Sequence, residues 1–177
     1  IAAGVKPGDE VITTPFTVVV DSTVPVIMGA NPVFADIDPD THNIDPNSIE
    51  ERITDKTKAI IPVAHDGLPY DIDRVMEIAN KHDLIVLEDN AQAINAEYNG
   101  RYVGKDAHIT MFSFERTKHV STGEGGMLIT NDSDLDICTG LHQYVYNIGK
   151  EPIIINWKTS KKINQEKIHP NDSLYMK

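Results

Sequence analysis

Short apolar runs alternate along this chain with stretches in which apolar residues recur every three or four positions. Residues 11–14, 32–37, 58–63, 84–87, 109–112 and 127–130 read as strands. The run Leu84-Ile85-Val86-Leu87 is apolar throughout, as a strand covered on both faces requires. Between the strands lie helical patterns. Residues 17–28 predict a helix closed by Gly29, despite many β-branched side chains. Asp45-Pro46 opens another that runs to Arg52, with Asp as the cap and Pro in the first helical position. Residues 71–82 predict an amphipathic helix with Ile72, Val75, Met76 and Ala79 on its buried face. A further helix is expected over 132–146, followed by a polar, Lys-rich, irregular segment over 147–177. Strands alternating with helices predict an α/β fold, with a mostly parallel sheet between helices. No internal repeat is visible.

Composition narrows the picture. A chain of 177 residues, 40% hydrophobic and 24% charged, can bury one domain core. A net charge of −11 argues against nucleic-acid binding, which needs a basic face to neutralise phosphates. No apolar stretch is long enough to span a bilayer, and no signal-peptide pattern opens the chain. Cys138 is the only cysteine, so no internal disulfide forms; a cytoplasmic location is the expectation. The chain opens at Ile1 without an initiator Met, and Ile1-Ala2-Ala3-Gly4 reads as the last turn of a helix with a Gly stop. Residues 170–177 bring no terminating element. The expectation is a piece of a longer protein, truncated at both ends.

Two segments carry candidate chemistry. Glu88-Asp89-Asn90-Ala91-Gln92 follows the buried strand. A carboxylate at the carboxyl end of such a strand faces the crevice where α/β folds bind ligands. Asp89 would suit a cationic ring nitrogen, or could simply cap a following helix. The second segment runs from Ser113 through Lys118 to Gly123-Glu124-Gly125-Gly126. Each member has an ordinary reading: most lysines are solvated, Ser113 could merely end a strand, and the glycines could make a tight turn. Together, Lys118 and Asp89 are the pair that pyridoxal phosphate requires, a Lys for the aldehyde and an acid for the ring nitrogen. His65-Asp66 follows the third strand and could face the same crevice. His42, His82 and His142 are scattered and lack zinc-ligand spacing. There is no phosphate-binding P-loop, dinucleotide fingerprint or hydrolase elbow.

On these residues the chain resembles the DegT/DnrJ/EryC1/StrS family of pyridoxal-phosphate-dependent aminotransferases. The matching motifs are Pro7-Gly8-Asp9-Glu10-Val11-Ile12, Pro32-Val33-Phe34-Ala35-Asp36-Ile37-Asp38, Thr57-Lys58-Ala59-Ile60-Ile61-Pro62-Val63, Glu88-Asp89-Asn90-Ala91-Gln92-Ala93, and the segment Phe112 to Gly126. They occur in the family's order and cover the chain to about Asp132. The resemblance implies the large domain of the aspartate-aminotransferase-like, fold type I enzymes over residues 1–146. Residues 147–177 would lead toward a small C-terminal domain. It implies that Lys118 bonds to the cofactor and then carries the proton between substrate and cofactor. Asp89 would pair with the ring nitrogen, Gln92 would lie beside the cofactor, and Ser113 would bind its phosphate. Val18 falls where many members stack an aromatic ring. The implied substrates are a nucleotide-linked keto-sugar and glutamate or glutamine as amino donor. A homodimer with a shared active site is implied too.

Departures from the family pattern cluster on the substrate side. Ala64-His65-Asp66-Gly67 stands where members often read His-x-Tyr-Gly, Asn90 replaces a common Ala, and Ile94-Asn95 replaces a common His-Gly. Val18 and Asp66 leave room for a non-catalytic regulatory relative. A dehydratase branch of the family carries His at the Lys position; here that position holds Lys118, with His119 one residue later, which favours amino transfer.

Overall fold

The computed structural model describes residues 2–132 and Leu135. Strands β1 (Glu10–Thr13), β2 (Asn31–Phe34), β3 (Thr57–Ile61), β4 (Ile85–Asp89), β7 (Ile109–Ser113) and β8 (Gly126–Ile129) form one sheet in the order β2-β1-β3-β4-β7-β8. All neighbours pair in parallel except β7 and β8, which are antiparallel. Helices α1 (Val20–Ile27), α2 (Pro46–Arg52) and α3 (Ile72–His82) supply the crossovers. A two-stranded hairpin, β5 (Glu97–Tyr98) and β6 (Arg101–Tyr102), lies between β4 and β7 in sequence.

The pleat sorts the strand residues into two cores. Ile12, Ile60 and Val86 join Ile49 of α2 and Val75, Ile78 and Ala79 of α3 on one face. Their chain neighbours Val11, Ala59 and Ile61 pack with Ile85 and Leu87 on the other. Helix α1 lies against that second side, near β1 and β2. Val26 and Ile27 of this helix are turned outward, the last 80% exposed, while Val20 and Val24 border an apolar groove shared with the sheet.

Local signals set most element ends. Asp45 accepts a hydrogen bond from Asn47 N at 2.9 Å, with Pro46 opening α2. Asp71 caps α3 by accepting from Arg74 N; it stands before the helix rather than in its first turn. Helix α1 starts at Val20, three residues later than its pattern implies. Thr14 Oγ1 accepts from Phe16 N at 3.1 Å, which holds the preceding residues in a turn. Strand β2 ends at Phe34 instead of Ile37, because Asp36 N donates to Ser48 Oγ on α2 rather than to the sheet. The β5–β6 hairpin was not expected. Its turn, Asn99-Gly100, has φ of 50° and 73°, the conformation Asn-Gly favours between two strands. The helix expected over 132–146 and the irregular segment over 147–177 lie outside the described residues. Among the described residues no helix is long and apolar enough to cross a membrane.

Glu88 is the most deeply buried acid of the sheet, 1% exposed on the α3 side. Thr110 Oγ1 on the neighbouring strand donates to its Oε2 at 2.7 Å. Tyr70 and Asn90 are buried as well, and their side chains are hydrogen-bonding neighbours of the Glu88 carboxyl. Burial pushes the Glu88 carboxyl above its ordinary range, and the bond from Thr110 opposes that rise. Ionisation therefore costs more in the folded chain than in the unfolded one. The contribution of Glu88 to stability is complete below about pH 4.5 and is lost as pH rises through the raised folded value. Glu88→Gln should flatten this fall when unfolding is measured by denaturant between pH 4 and 8; a slope equal to the parent's would refute it. Thr110→Val should lower the unfolding free energy by about 1–2 kcal/mol, from the hydrogen bond taken away from a buried acceptor.

Candidate active site

Because β1, β3, β4 and β7 run the same way, the loops that leave their carboxyl ends gather on one edge of the sheet. The loop after β1 brings Phe16, Thr17 and Val18. The segment after β3 brings Val63 and His65. Asp89 is the last residue of β4, with Gln92 just beyond it, and the loop after β7 brings Lys118. These residues line one cavity of about 300 Å³. A smaller recess of about 200 Å³ shares Gln92 and Lys118 and adds Asp66, Thr117 and His119.

Asp89 is fixed by its backbone. Its N–H donates to Pro62 O at 2.9 Å and its carbonyl accepts from Ala64 N at 3.0 Å. Its Oδ1 accepts from Ala91 N at 2.8 Å. No helix follows, so Asp89 is a strand-end carboxylate and not a helix cap. A second carboxyl faces it from α1. Asp21 is 3% exposed and accepts from Thr17 Oγ1 at 2.7 Å. Burial, and then the charge of Asp89, push the Asp21 carboxyl up to about 6, against the pull of the Thr17 hydrogen bond. Asp21 carried no motif and was missed in the sequence; its position in the first turn of a helix has a sufficient structural reading by itself.

Lys118 is half-buried, unlike a freely solvated surface lysine. Its loop is closed by its own polar groups. Lys118 N donates to Glu115 O at 3.0 Å, and Thr117 N donates to Glu115 Oε2 at 3.0 Å. The Thr117 hydroxyl and N–H bonds hold the Glu115 carboxyl below its usual range. At the far end of the loop, Phe114 N donates to Gly125 O at 2.8 Å and Thr122 N to Phe114 O at 3.0 Å. Gly125 adopts φ 149°, and a Cβ there would meet Thr122 Oγ1 at 2.7 Å. The glycine run is therefore a tight turn returning the chain into β8.

Gln92 joins two of the loops. Its Oε1 accepts from Asp66 N at 2.9 Å, and Asp66 holds φ of 51°. Gly67 lies so close that a Cβ would come within 2.9 Å of Gln92 O. Behind this junction Phe16 contacts two imidazoles, with ring centroids 4.6 Å from His65 and 5.5 Å from His42. The sequence reading gave Phe16 no role and took His42 only as a scattered histidine, although the Pro15-Phe16 turn directly after β1 is a local cue for the first. Val18, 62% exposed, lines the cavity where an aromatic ring was considered. Of the five candidates, Asp89, Gln92, Val18 and Lys118 thus meet in one place. Ser113 ends β7, where its Oγ accepts from Glu115 N at 3.3 Å; it does not line either recess. Among the described residues no group of three or more His, Cys, Asp or Glu side chains could hold a metal ion.

The sequence pattern of the DegT/DnrJ/EryC1/StrS aminotransferase family matches residues 1–149. A pleiotropic regulatory protein of Geobacillus stearothermophilus is 52% identical over 135 residues, which are 76% of this chain and 36% of that protein. GDP-perosamine synthase of Caulobacter vibrioides is 44% identical over 135 residues, again 76% of this chain and 36% of the relative. The chain therefore spans about a third of the length of these relatives. Among solved structures, NtdA of Bacillus subtilis with bound cofactor PMP superposes with a TM-score of 0.73 at 34% identity, covering 92% of this chain and 35% of that one. The fold is accordingly that of the large domain of fold type I pyridoxal-phosphate enzymes. With a matching pattern over most of its length, the chain belongs to the DegT/DnrJ/EryC1/StrS aminotransferase family.

Proposed function

We propose that this chain forms the cofactor-binding part of a pyridoxal-phosphate-dependent sugar aminotransferase. The observation that carries the reading is the convergence of Lys118 and Asp89, from loops after different strands, on one cavity of about 300 Å³. The cavity fits the cofactor in kind: a half-buried amine for its aldehyde, a carboxylate for its ring nitrogen, and Phe16 and Val18 to pack against an aromatic ring. When bound, pyridoxal phosphate supplies an electron sink for the carbon that gains or loses a proton. Lys118 Nζ would bind the cofactor and then move that proton. Asp89 would hold the proton on the ring nitrogen. Gln92 would keep the loops after β3 and β4 together at the cavity wall, and Ser113 would serve the phosphate from the end of β7.

The substrates proposed are a nucleotide-linked keto-sugar and glutamate or glutamine, and the working unit a cytoplasmic homodimer whose partner completes the site. The support is the family's name for its reaction and the perosamine synthase among its relatives. A regulatory role is the second reading, since a relative named as a regulatory protein is 52% identical. The retained Lys118 and Asp89 weigh against it, because a purely structural relative needs neither. Retention of Lys118 likewise weighs against a dehydratase.

Added to the whole protein, pyridoxal phosphate should give a visible absorption band that Lys118→Ala abolishes together with turnover. The band should bleach on addition of glutamate or glutamine. A band indifferent to every amino donor would favour the regulatory reading. Asp89→Asn should keep the band and slow amino transfer about a hundredfold or more, ~2.7 kcal/mol of barrier; undiminished turnover would remove Asp89 from its role.

A further inference from the structure

The ring-nitrogen end of the cavity holds one more acid than the chemistry above uses. Asp21 comes from the first turn of α1, is almost fully buried, and takes a hydrogen bond from Thr17, which itself lines the cavity. Its carboxyl lies within hydrogen-bonding reach of Asp89. Around it the remaining side chains are apolar: Val11, Ile61, Leu87 and Met111 from the sheet, and Val24 and Pro25 from its own helix. Asp89 is the one ionisable group shown facing it among the described residues. Lys118 and His65 share the cavity with Asp89.

Two carboxyls this close, with one of them away from water, do not both ionise freely. The buried Asp21 is the one that more readily keeps its proton, and a cation arriving at Asp89 changes that balance. We propose that Asp21 and Asp89 form a proton-sharing carboxyl pair, in which Asp21 is a positioning residue that releases its proton to solvent when a cationic ring nitrogen binds to Asp89. The elevated carboxyl of Asp21, at about 6, is consistent with this. No bond other than O–H is broken: the proton leaves the Asp21 carboxyl for water, and the ring's positive charge replaces it beside the pair. The inference rests on the functional reading above, which places a pyridine ring against Asp89.

The consequence is a proton linkage in cofactor binding. Below about pH 6 the cofactor must displace a proton from Asp21, and above it Asp21 is already charged. Affinity should therefore rise by up to about tenfold between pH 5 and 7 through this one group. The probe is pyridoxamine 5′-phosphate, which binds without bonding to Lys118. Its dissociation constant would be measured by absorbance or calorimetry on the whole protein, for the parent and for Asp21→Asn. Asn accepts the Thr17 bond and can donate to Asp89, but has no proton to release. Titrations of the probe and of Lys118 are common to both proteins and cancel in the ratio. The expected result is a parent-to-variant affinity ratio that climbs about tenfold from pH 5 to 7, with about one fewer proton released by the variant at pH 5.

Parallel affinity profiles would overturn the pairing and reduce Asp21 to a helix residue. Should Asp21→Asn fail to fold, Thr17→Val is the second variant. It strips the bond that favours the charged Asp21, so the rise in affinity should move to higher pH; an unmoved rise would overturn the proposal. A parent protein that binds the probe at no pH would instead overturn the cofactor reading, and this inference with it.

Discussion

Strand β4 ends in two consecutive acids, and the pleat sends them to opposite faces of the sheet. Glu88 goes toward α3 and is buried against Thr110. Asp89 goes toward α1 and the cavity. Everything functional follows from that division, because a one-residue slip of β4 would exchange the two. The register is held on both sides. Ala59 and Ile60 of β3 pair with Ile85 and Val86, while Ile109, Thr110 and Met111 of β7 pair with Leu87, Glu88 and Asp89. Central strands with both neighbours in place resist slipping in a way that edge strands do not.

The rest of the site is held by short-range devices attached to that frame. Gln92 joins the loops after β3 and β4 through one side-chain bond and one close backbone approach at Gly67. The Lys118 loop is pinned where it leaves β7 and where it enters β8. That antiparallel return is the only break in an otherwise parallel sheet among the described residues. It brings the two ends of the loop side by side and holds Lys118 close to the strand ends that flank it. Placement of this kind is what the role proposed for the Lys118 amine would require.

Much of this could be read from the residues. Asp45-Pro46 announces a helix start because a cap needs only its neighbours in sequence. The apolar run before Asp89 marked a buried strand, and the strand-end rule then carried Asp89 and Lys118 to the same crevice. Other features depend on contacts between distant segments. Nothing around Asp21 indicates that its side chain faces Asp89, since α1 and β4 meet only once the sheet has formed. The meeting of Phe16 with His42 and His65 has the same origin. The β5–β6 hairpin is different: Asn99-Gly100 is a local signal, but two-residue strands give too short an alternation to be recognised. Residues 17–19 show the opposite error, where apolar character suggested helix and turn hydrogen bonding at Thr14 prevailed.

Phe16, His65, Asp89 and Lys118 sit on four segments that are well separated in sequence and are brought together by the sheet's parallel pairings. Pairings of that sort are non-local, and closing the intervening loops is the slow part of forming them. No partly assembled sheet can therefore present the cavity, because each missing strand removes one of its walls. Occupancy of this pocket is thus also a report on chain assembly: the colour of a bound chromophore would appear only after the last central strand has docked, and would mark that step in a refolding experiment.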